Sequence, residues 1–236
     1  IVIMGRLINP GSDQATWDWY RQRSSLSELL PKDEEEVGRN AVYEIADLLL
    51  EHKEIIEKAL YLKTIGVHNT SPSIFLFDLT NLYFEGQCKN NTLAMFGKSK
   101  EKRSDCRLVT LALMVDQNGF PVGSKIFKGN QTEPATLNNI LNEYLPDGNT
   151  DLFSVKPTLI MDRGIATKEN IKRIQSRNLD YAVVERHQNL NPYIEQFKGD
   201  HNDFKEIKRT NSESVWVKQV DASADSGSKI ICISHT

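Results

Sequence analysis

The sequence predicts an α/β fold, a mixed sheet preceded by a helical segment. Three observations carry this. Residues 73–84 (SIFLFDLTNLYF) are almost unbroken apolar and aromatic, as in a central strand buried on both faces. Asn118-Gly119 lies between two further apolar runs, 108–115 and 120–127, a strong hairpin signal. After the hairpin, helical and extended patterns alternate. The order β, ββ hairpin, α, β, α, β implies a mixed sheet with helices on both faces.

Taken in order, residues 1–39 read as a polar, partly helical entry. Trp17, Trp19 and Tyr20 are packing residues there, and Lys32–Glu36 is a solvated charge run or a first helical turn. From Asn40 to about Ile65, Val42, Ile45, Ala46, Leu49, Ile56, Ala59, Leu60 and Leu62 recur at helical spacing, with Asn40 as N-cap and Gly66 as stop. Asn69–Ser73 is a turn-rich linker and the main boundary. Residues 85–103 are polar and irregular. Glu133–Leu145 is a short helix carrying Leu137, Ile140, Leu141 and Leu145, and Pro146–Pro157 a loop. Thr158–Met161 is a strand, Thr167–Arg177 a helix capped by Thr167 with Glu169 in its first turn, and Tyr181–Val184 a strand. Beyond Arg186 the pattern turns polar, with strands expected near Ser214–Val220 and Lys229–Ser234. The boundaries are thus 1–72, 73–186 and 187–236.

Composition narrows the class. The chain has 236 residues, 39% hydrophobic and 26% charged, with a net charge of -3. That excludes a disordered polyelectrolyte and permits a sizeable core. Cys88, Cys106 and Cys232 make neither a disulfide framework nor a zinc site, since no CxxC or HxxxH pair exists. No apolar run approaches the roughly 20 residues of a membrane span. The start IVIMGRLINP lacks a signal peptide's pattern. A reducing, soluble compartment is expected. The chain begins with Ile1 and ends in or just past a strand-like run, so either end reads as a cut. Residues 1–73 carry 8 Lys/Arg against 12 Asp/Glu, so the acidic excess belongs to the N-terminal segment.

Two aspartates stand out. Asp78 interrupts the first apolar run, and Asp162 ends the strand Thr158–Met161. A carboxylate in such a place costs several kcal/mol unless a cation or hydrogen bonds compensate. If the two strands are parallel neighbours, their backbones lie about 4.8 Å apart, so carboxylates at matching heights can share a hard divalent cation. An Asx-turn at Asp162 and a buried lysine or loop cap at Asp78 are the ordinary alternatives. Between the aspartates, Lys98, Lys100, Lys102, Arg103 and Arg107 face only Glu101 and Asp105, a charge surplus suited to phosphates. Arg163 beside Asp162 could steady a DNA strand. A solvated loop is the plainer reading of the five loop cations, and a local ion pair that of Arg163. His187 and His201 read as solvated, and Asp116 as part of the hairpin turn.

These blocks, FDLTNLYFEG, then GKSKEKRSDCRLVTLALMVDQNGFPVGSKIFKGNQTEPATL, then LIMDRGIATKENI and DYAVVER, resemble the DDE transposases of bacterial insertion sequences, the insertion-sequence-4-like group. Weaker similarity extends to GRLINPGSDQATWDWY. The resemblance implies an RNase H-like core in which Asp78 and Asp162 are the first two catalytic acids and bind Mg²⁺ or Mn²⁺. The implied reaction is hydrolysis of a phosphodiester followed by strand transfer, without a covalent enzyme intermediate. It also implies DNA partners (transposon ends and target), a homodimer on paired ends, and a cytoplasmic, nucleoid-associated location. The group's third acid is a Glu in a YxxRxxxE helix beyond a β-rich insertion. Residues 187–236 contain no such match, and Glu185, Glu195 and Glu206 lack its context. The chain is therefore expected to stop within the insertion, before the third acid. A DNA-binding remnant without catalysis is the alternative. Phe77-Asp78-Leu79-Thr80 also has the D-x-T look of the aspartyl nucleophile in haloacid-dehalogenase-type phosphohydrolases, but Asp162 supplies only one of the downstream acids that class needs.

Overall fold

The computed structural model describes residues 1–29, 38–98, 103–145, 156–184, 191–198, 202–210, 212–220 and 229–234. The whole Lys32–Glu36 run, most of the 146–157 loop, and Lys100, Lys102, Glu185, His187 and His201 lie outside them. The chain divides into two compact units, Ile1–Val183 and Val184–Thr236.

The first unit opens with helices. α1 (Val2–Ile8), α2 (Asp13–Arg23) and α3 (Leu26–Leu29) make up the N-terminal entry. Ser12 caps α2 by accepting from the Ala15 amide at 3.1 Å. Trp17 stands 5.9 Å from Tyr20, with Arg21 over its ring. The single helix expected from Asn40 to Ile65 is two: α4 (Arg39–Glu51) and α5 (Lys53–His68). His52 between them has ψ 11°, well away from helical geometry. Gly38 rather than Asn40 is the N-cap, and α5 runs past Gly66 to Asn69. Asn69 takes the left-handed conformation (φ 48°), which its short polar side chain tolerates, so the stop comes three residues later than the glycine indicated.

The sheet is mixed and five-stranded, in the order β3-β2-β1-β4-β5. β1 (Ile74–Tyr83) pairs antiparallel with β2 (Leu108–Asp116), which pairs antiparallel with β3 (Pro121–Lys128). On the other side β1 runs parallel to β4 (Thr158–Met161), and β4 parallel to β5 (Asp180–Val183). The β2–β3 turn is held by Asp116, whose Oδ1 accepts from the amides of Asn118 (2.9 Å) and Phe120 (3.0 Å). Gly119 supplies the positive φ (84°) the turn requires.

The expectation of a strand buried on both faces is wrong for β1. Phe75, Phe77 and Leu79 are buried, while Leu76, Asp78 and Thr80 are exposed. The reason lies in the packing. α6 (Glu133–Tyr144) and α7 (Lys168–Ser176) contribute Leu137, Ile140, Leu141 and Ile174 to one cluster with Phe75, Phe77, Leu79, Met114, Leu159 and Met161. α5 lies against the edge strand β3 and adds Tyr61 to the same cluster. α6 and α7 therefore share one face and α5 one edge, rather than lying on both faces. On the opposite face Leu113, Ile126 and Ile160 are exposed beside Leu76. Covering the β3 edge blunts its unpaired hydrogen-bonding groups.

A polar clamp fastens α5 to that edge. Lys53 Nζ donates to Glu57 Oε2 at 2.7 Å and to the Ser124 carbonyl, and Ser124 Oγ donates to Glu57 Oε1 at 2.7 Å. Tyr144 Oη donates to the Ser124 carbonyl at 2.8 Å. Burial pushes the Glu57 carboxyl up, but the bonds from Lys53 and from the hydroxyl and amide of Ser124 outweigh it and hold it below its ordinary value.

The second unit is smaller. A 3-10 helix (Asn191–Phe197) precedes an antiparallel sheet ordered β6-β7-β8, formed by Lys205–Arg209, Ser212–Val220 and Lys229–Ser234. Phe204, Val220 and Ile231 form its core, with Tyr193, Trp216 and Ile233 packed against it. β6 has no counterpart in the sequence reading. All five of its residues are exposed, so it carries no alternation, and its pairing with β7 alone makes it a strand.

Candidate active site

The site starts from strand register. β1 and β4 run parallel with Phe77 opposite Met161. Asp78 is the next residue of β1, and Asp162 is the first residue past β4. Two residues earlier on each strand, Leu76 is opposite Ile160, and both face the exposed side. With side chains alternating, Asp78 and Asp162 continue that side and stand on neighbouring strands about 4.8 Å apart at the backbone. Residues eighty-four positions apart in sequence thus reach one spot. Both are exposed, so the expected burial of these carboxylates does not occur.

Local structure holds Asp162 in place. Its Oδ1 accepts from the Arg163 amide at 2.7 Å, and its carbonyl accepts from the Ile165 amide at 3.1 Å. A main-chain turn from Asp162 to Ile165 therefore follows β4, while the Asp162 side chain bonds the next amide rather than the one two residues on that an Asx-turn uses. The turn is tied down by Asn170, which the sequence reading passed over. Asn170 is 2% exposed, and its Nδ2 donates to the carbonyls of Ile165 (2.8 Å) and Pro134 (2.9 Å). Thr167 caps α7 as expected, its hydroxyl accepting from the Asn170 amide at 3.2 Å. The available signal was position: Asn170 shares a helical face with Ile174, four residues on, where an apolar residue is the norm.

The cations divide. Lys98 and Arg163 are exposed. Arg103 is engaged by its neighbours: its guanidinium reaches Asp105 Oδ1 at 2.7 Å and Oδ2 at 2.8 Å, and lies 5.0 Å from the Tyr83 ring centre. Arg107 donates from Nη1 to the Ala94 carbonyl at 2.9 Å and lies 5.4 Å from the Phe96 ring centre. Among the described residues no carboxylate forms an ion pair with Arg107. Phe96 and Tyr83 are a second pair of residues that the sequence reading did not single out.

Two exposed carboxylates thus stand beside strand ends on neighbouring strands. The donor set fits a divalent cation in kind, since both ligands are hard oxygens. Among the described residues no third His, Cys, Asp or Glu joins them. All three cysteines are free, and no helix is long and apolar enough to cross a membrane among the described residues.

The sequence profile of the transposase DDE domain matches residues 69–222, more than half of the chain, and the chain belongs to that family. No curated protein matches it closely enough to count as a relative. Among solved structures it is similar to the piggyBac transposase in a synaptic complex with hairpin DNA, at 12% identity and a TM-score of 0.43, over 98% of this chain and 49% of that one. It is similar to the Mos1 transposase in a paired-end complex with the left transposon end, at 7% identity and a TM-score of 0.33, over 83% and 69%. A chain in the structure of the simian T-cell lymphotropic virus intasome with the PP2A regulatory subunit B56 gamma matches at 14% identity and a TM-score of 0.31, over 53% and 39%. The chain thus spans about half the length of the piggyBac chain and less of the intasome chain.

Proposed function

We propose that this chain is the metal-dependent DNA-cleaving and strand-transferring core of an insertion-sequence-4-like transposase, with Asp78 and Asp162 as its first two catalytic acids. The observation that carries this reading is their adjacency on β1 and β4 within the matched family domain. The sheet order, with β1, β4 and β5 parallel and the β2–β3 hairpin antiparallel to β1, agrees with an RNase H-like core. The division into a helical segment (1–72), a core (73–186) and a β-rich continuation (187–236) belongs to the same reading. So do DNA partners, a dimer on paired ends and a nucleoid-associated location.

In this mechanism Asp78 and Asp162 would hold Mg²⁺ or Mn²⁺, which would supply Lewis-acid activation of the attacking water and charge neutralisation at the phosphate. A water oxygen attacks phosphorus, the P–O3′ bond breaks, and the freed 3′-OH takes up a proton. That hydroxyl then gives up its proton and attacks a phosphodiester of the target strand, whose own P–O3′ bond breaks to leave a target 3′-oxygen that takes up a proton. The carboxylates orient both reactants and never bond covalently to phosphorus. The turn from Asp162 to Ile165, anchored by Asn170, fixes the second carboxylate against the first. Lys98, Arg107 and Arg163 contact backbone phosphates; Lys100 and Lys102 belong to the same proposal from sequence alone, while Arg103 supports the loop through Asp105.

The scheme needs a third carboxylate, and residues 187–236 offer none in the family's sequence context. A second reading, a DNA-binding remnant without cleavage, draws on the two-carboxylate cluster. Nicking of a plasmid carrying the DNA that flanks the coding region, in Mg²⁺ or Mn²⁺, separates the two. Calorimetric Mn²⁺ titration tests the site itself. Asp78→Asn and Asp162→Asn should each weaken Mn²⁺ at least tenfold and leave the melting temperature nearly unchanged, because both side chains are exposed. Unchanged Mn²⁺ affinity removes that residue from the site.

A further inference from the structure

α4 and α5 turn toward solvent a surface that packing within the chain does not use. Ala41, Ile45 and Leu48 in α4 and Ile55, Ala59 and Leu62 in α5 recur at steps of four and three residues. His52, at the joint, fills the position between the two sets, and Gly66 ends the series. Alternating steps of four and three are the heptad spacing by which one helix packs along another. The spacing carries through the joint. The His52 amide donates to the Leu48 carbonyl at 3.1 Å, and the Ile56 amide to the His52 carbonyl at 3.0 Å. Leu48 is 48% exposed and Ile55 71%, while Val42 and Tyr61, on other sides of the same helices, are buried. A Cβ on Gly66 would meet nothing within 4 Å.

Single exposed apolar residues need no explanation. A stripe in heptad register, about 38 Å from Ala41 to Gly66 at helical rise, is different: it fits a helix that carries the same pattern. The charges along its flank select that helix. Glu44 and Glu51 lie beside the α4 part of the stripe, and Lys58 beside the α5 part. Among the described residues none of these three forms an ion pair. A parallel pairing of two copies would set Lys58 of one against Lys63 of the other. An antiparallel pairing about a two-fold axis between Lys53 and Glu54 does the opposite. It seats Leu48 of one copy against Ala59 of the other and Ile45 against Leu62. It also brings Glu51 of each copy beside Lys58 of the other, twice by symmetry.

We propose that the α4–α5 stripe pairs antiparallel with the same stripe of a second copy of this chain. The proposal gives the dimer of the transposase reading a surface, and rests on that reading for the dimer's purpose alone. Sedimentation equilibrium of the whole chain, in EDTA and without DNA, tests it. Wild type should be a dimer at about 0.5 mM, and a monomer there overturns the proposal. Leu48→Glu puts two carboxylates into the seam and should weaken the dimer at least about 100-fold. Leu50→Glu, at a residue 67% exposed on the far side of α4, should change it less than about threefold. Glu51→Lys and Lys58→Glu should each weaken the dimer about tenfold, because each turns both symmetric pairs repulsive. The double variant, with the charges exchanged, should return to within about threefold of wild type. A dimer that survives Leu48→Glu, or charge reversals that add in the double variant, overturns the antiparallel seam. Mn²⁺ titration of the same variants without EDTA reports the carboxylate site by itself, so failure of the seam and failure of the transposase reading are told apart.

Discussion

Asn170 offers the sharpest test of how the fold positions Asp162. Its side-chain amide makes two bonds, to Ile165 on the turn and to Pro134 at the start of α6. Replacing it with alanine removes both donors. Each neutral bond contributes about 1 kcal/mol net. The Ile165 carbonyl keeps a second donor, the Thr167 amide at 2.8 Å, so it is not orphaned. With a small packing loss at a side chain only 2% exposed, the total is about 2–3 kcal/mol. The first unit ends at Val183, a size at which 1 kcal/mol shifts melting by about 2–4 °C. Asn170→Ala should therefore melt about 4–12 °C lower by calorimetry. Asn170→Asp should be worse at neutral pH, because it sets a carboxylate oxygen against two carbonyls. Its buried carboxyl then has a folded pKa above the unfolded value near 3.9, so the charge penalty vanishes below about pH 3.9 and grows as pH rises. A melting change under about 1 °C for Asn170→Ala, or Asn170→Asp more stable than Asn170→Ala at pH 7, would refute this reasoning.

Two further outcomes follow from the packing. Glu57 has its carboxyl held below the ordinary value of 4.5, so its stabilising contribution is fully present above about pH 4.5 and is lost as pH falls through the lower folded value. Glu57→Gln should flatten the acid limb of the melting-versus-pH curve, and an unchanged limb would show that the clamp is energetically silent. Gly97→Ala sets a methyl 2.1 Å from the Gly129 carbonyl oxygen, so the loop must move and lower the melting temperature. Proteolysis within residues 84–107 should quicken, and unaltered cleavage would show that the close approach relaxes freely.

The local features of this protein were legible because their causes are local. Asn118-Gly119 turns, Thr167 caps, and β4 runs over the expected residues Thr158–Met161. What failed had its cause elsewhere in the chain. β1 reads as doubly buried because Leu76 and Leu82 are apolar, yet only the odd-numbered face meets α6 and α7. Arg103 reads as a free cation until the fold sets it bidentate on Asp105 and over Tyr83. Polar Asn170 reads as surface until two carbonyls from different elements claim it.

The aspartates show the division most plainly. Sequence alone marks Asp78 and Asp162 as odd, because a charge within or at the end of an apolar run is expensive wherever that run ends up. It cannot bring them together, because adjacency depends on a parallel pairing of strands separated by two strands and a helix. That register is set by side chains packing across the sheet, and alternation then puts both carboxylates on one exposed face.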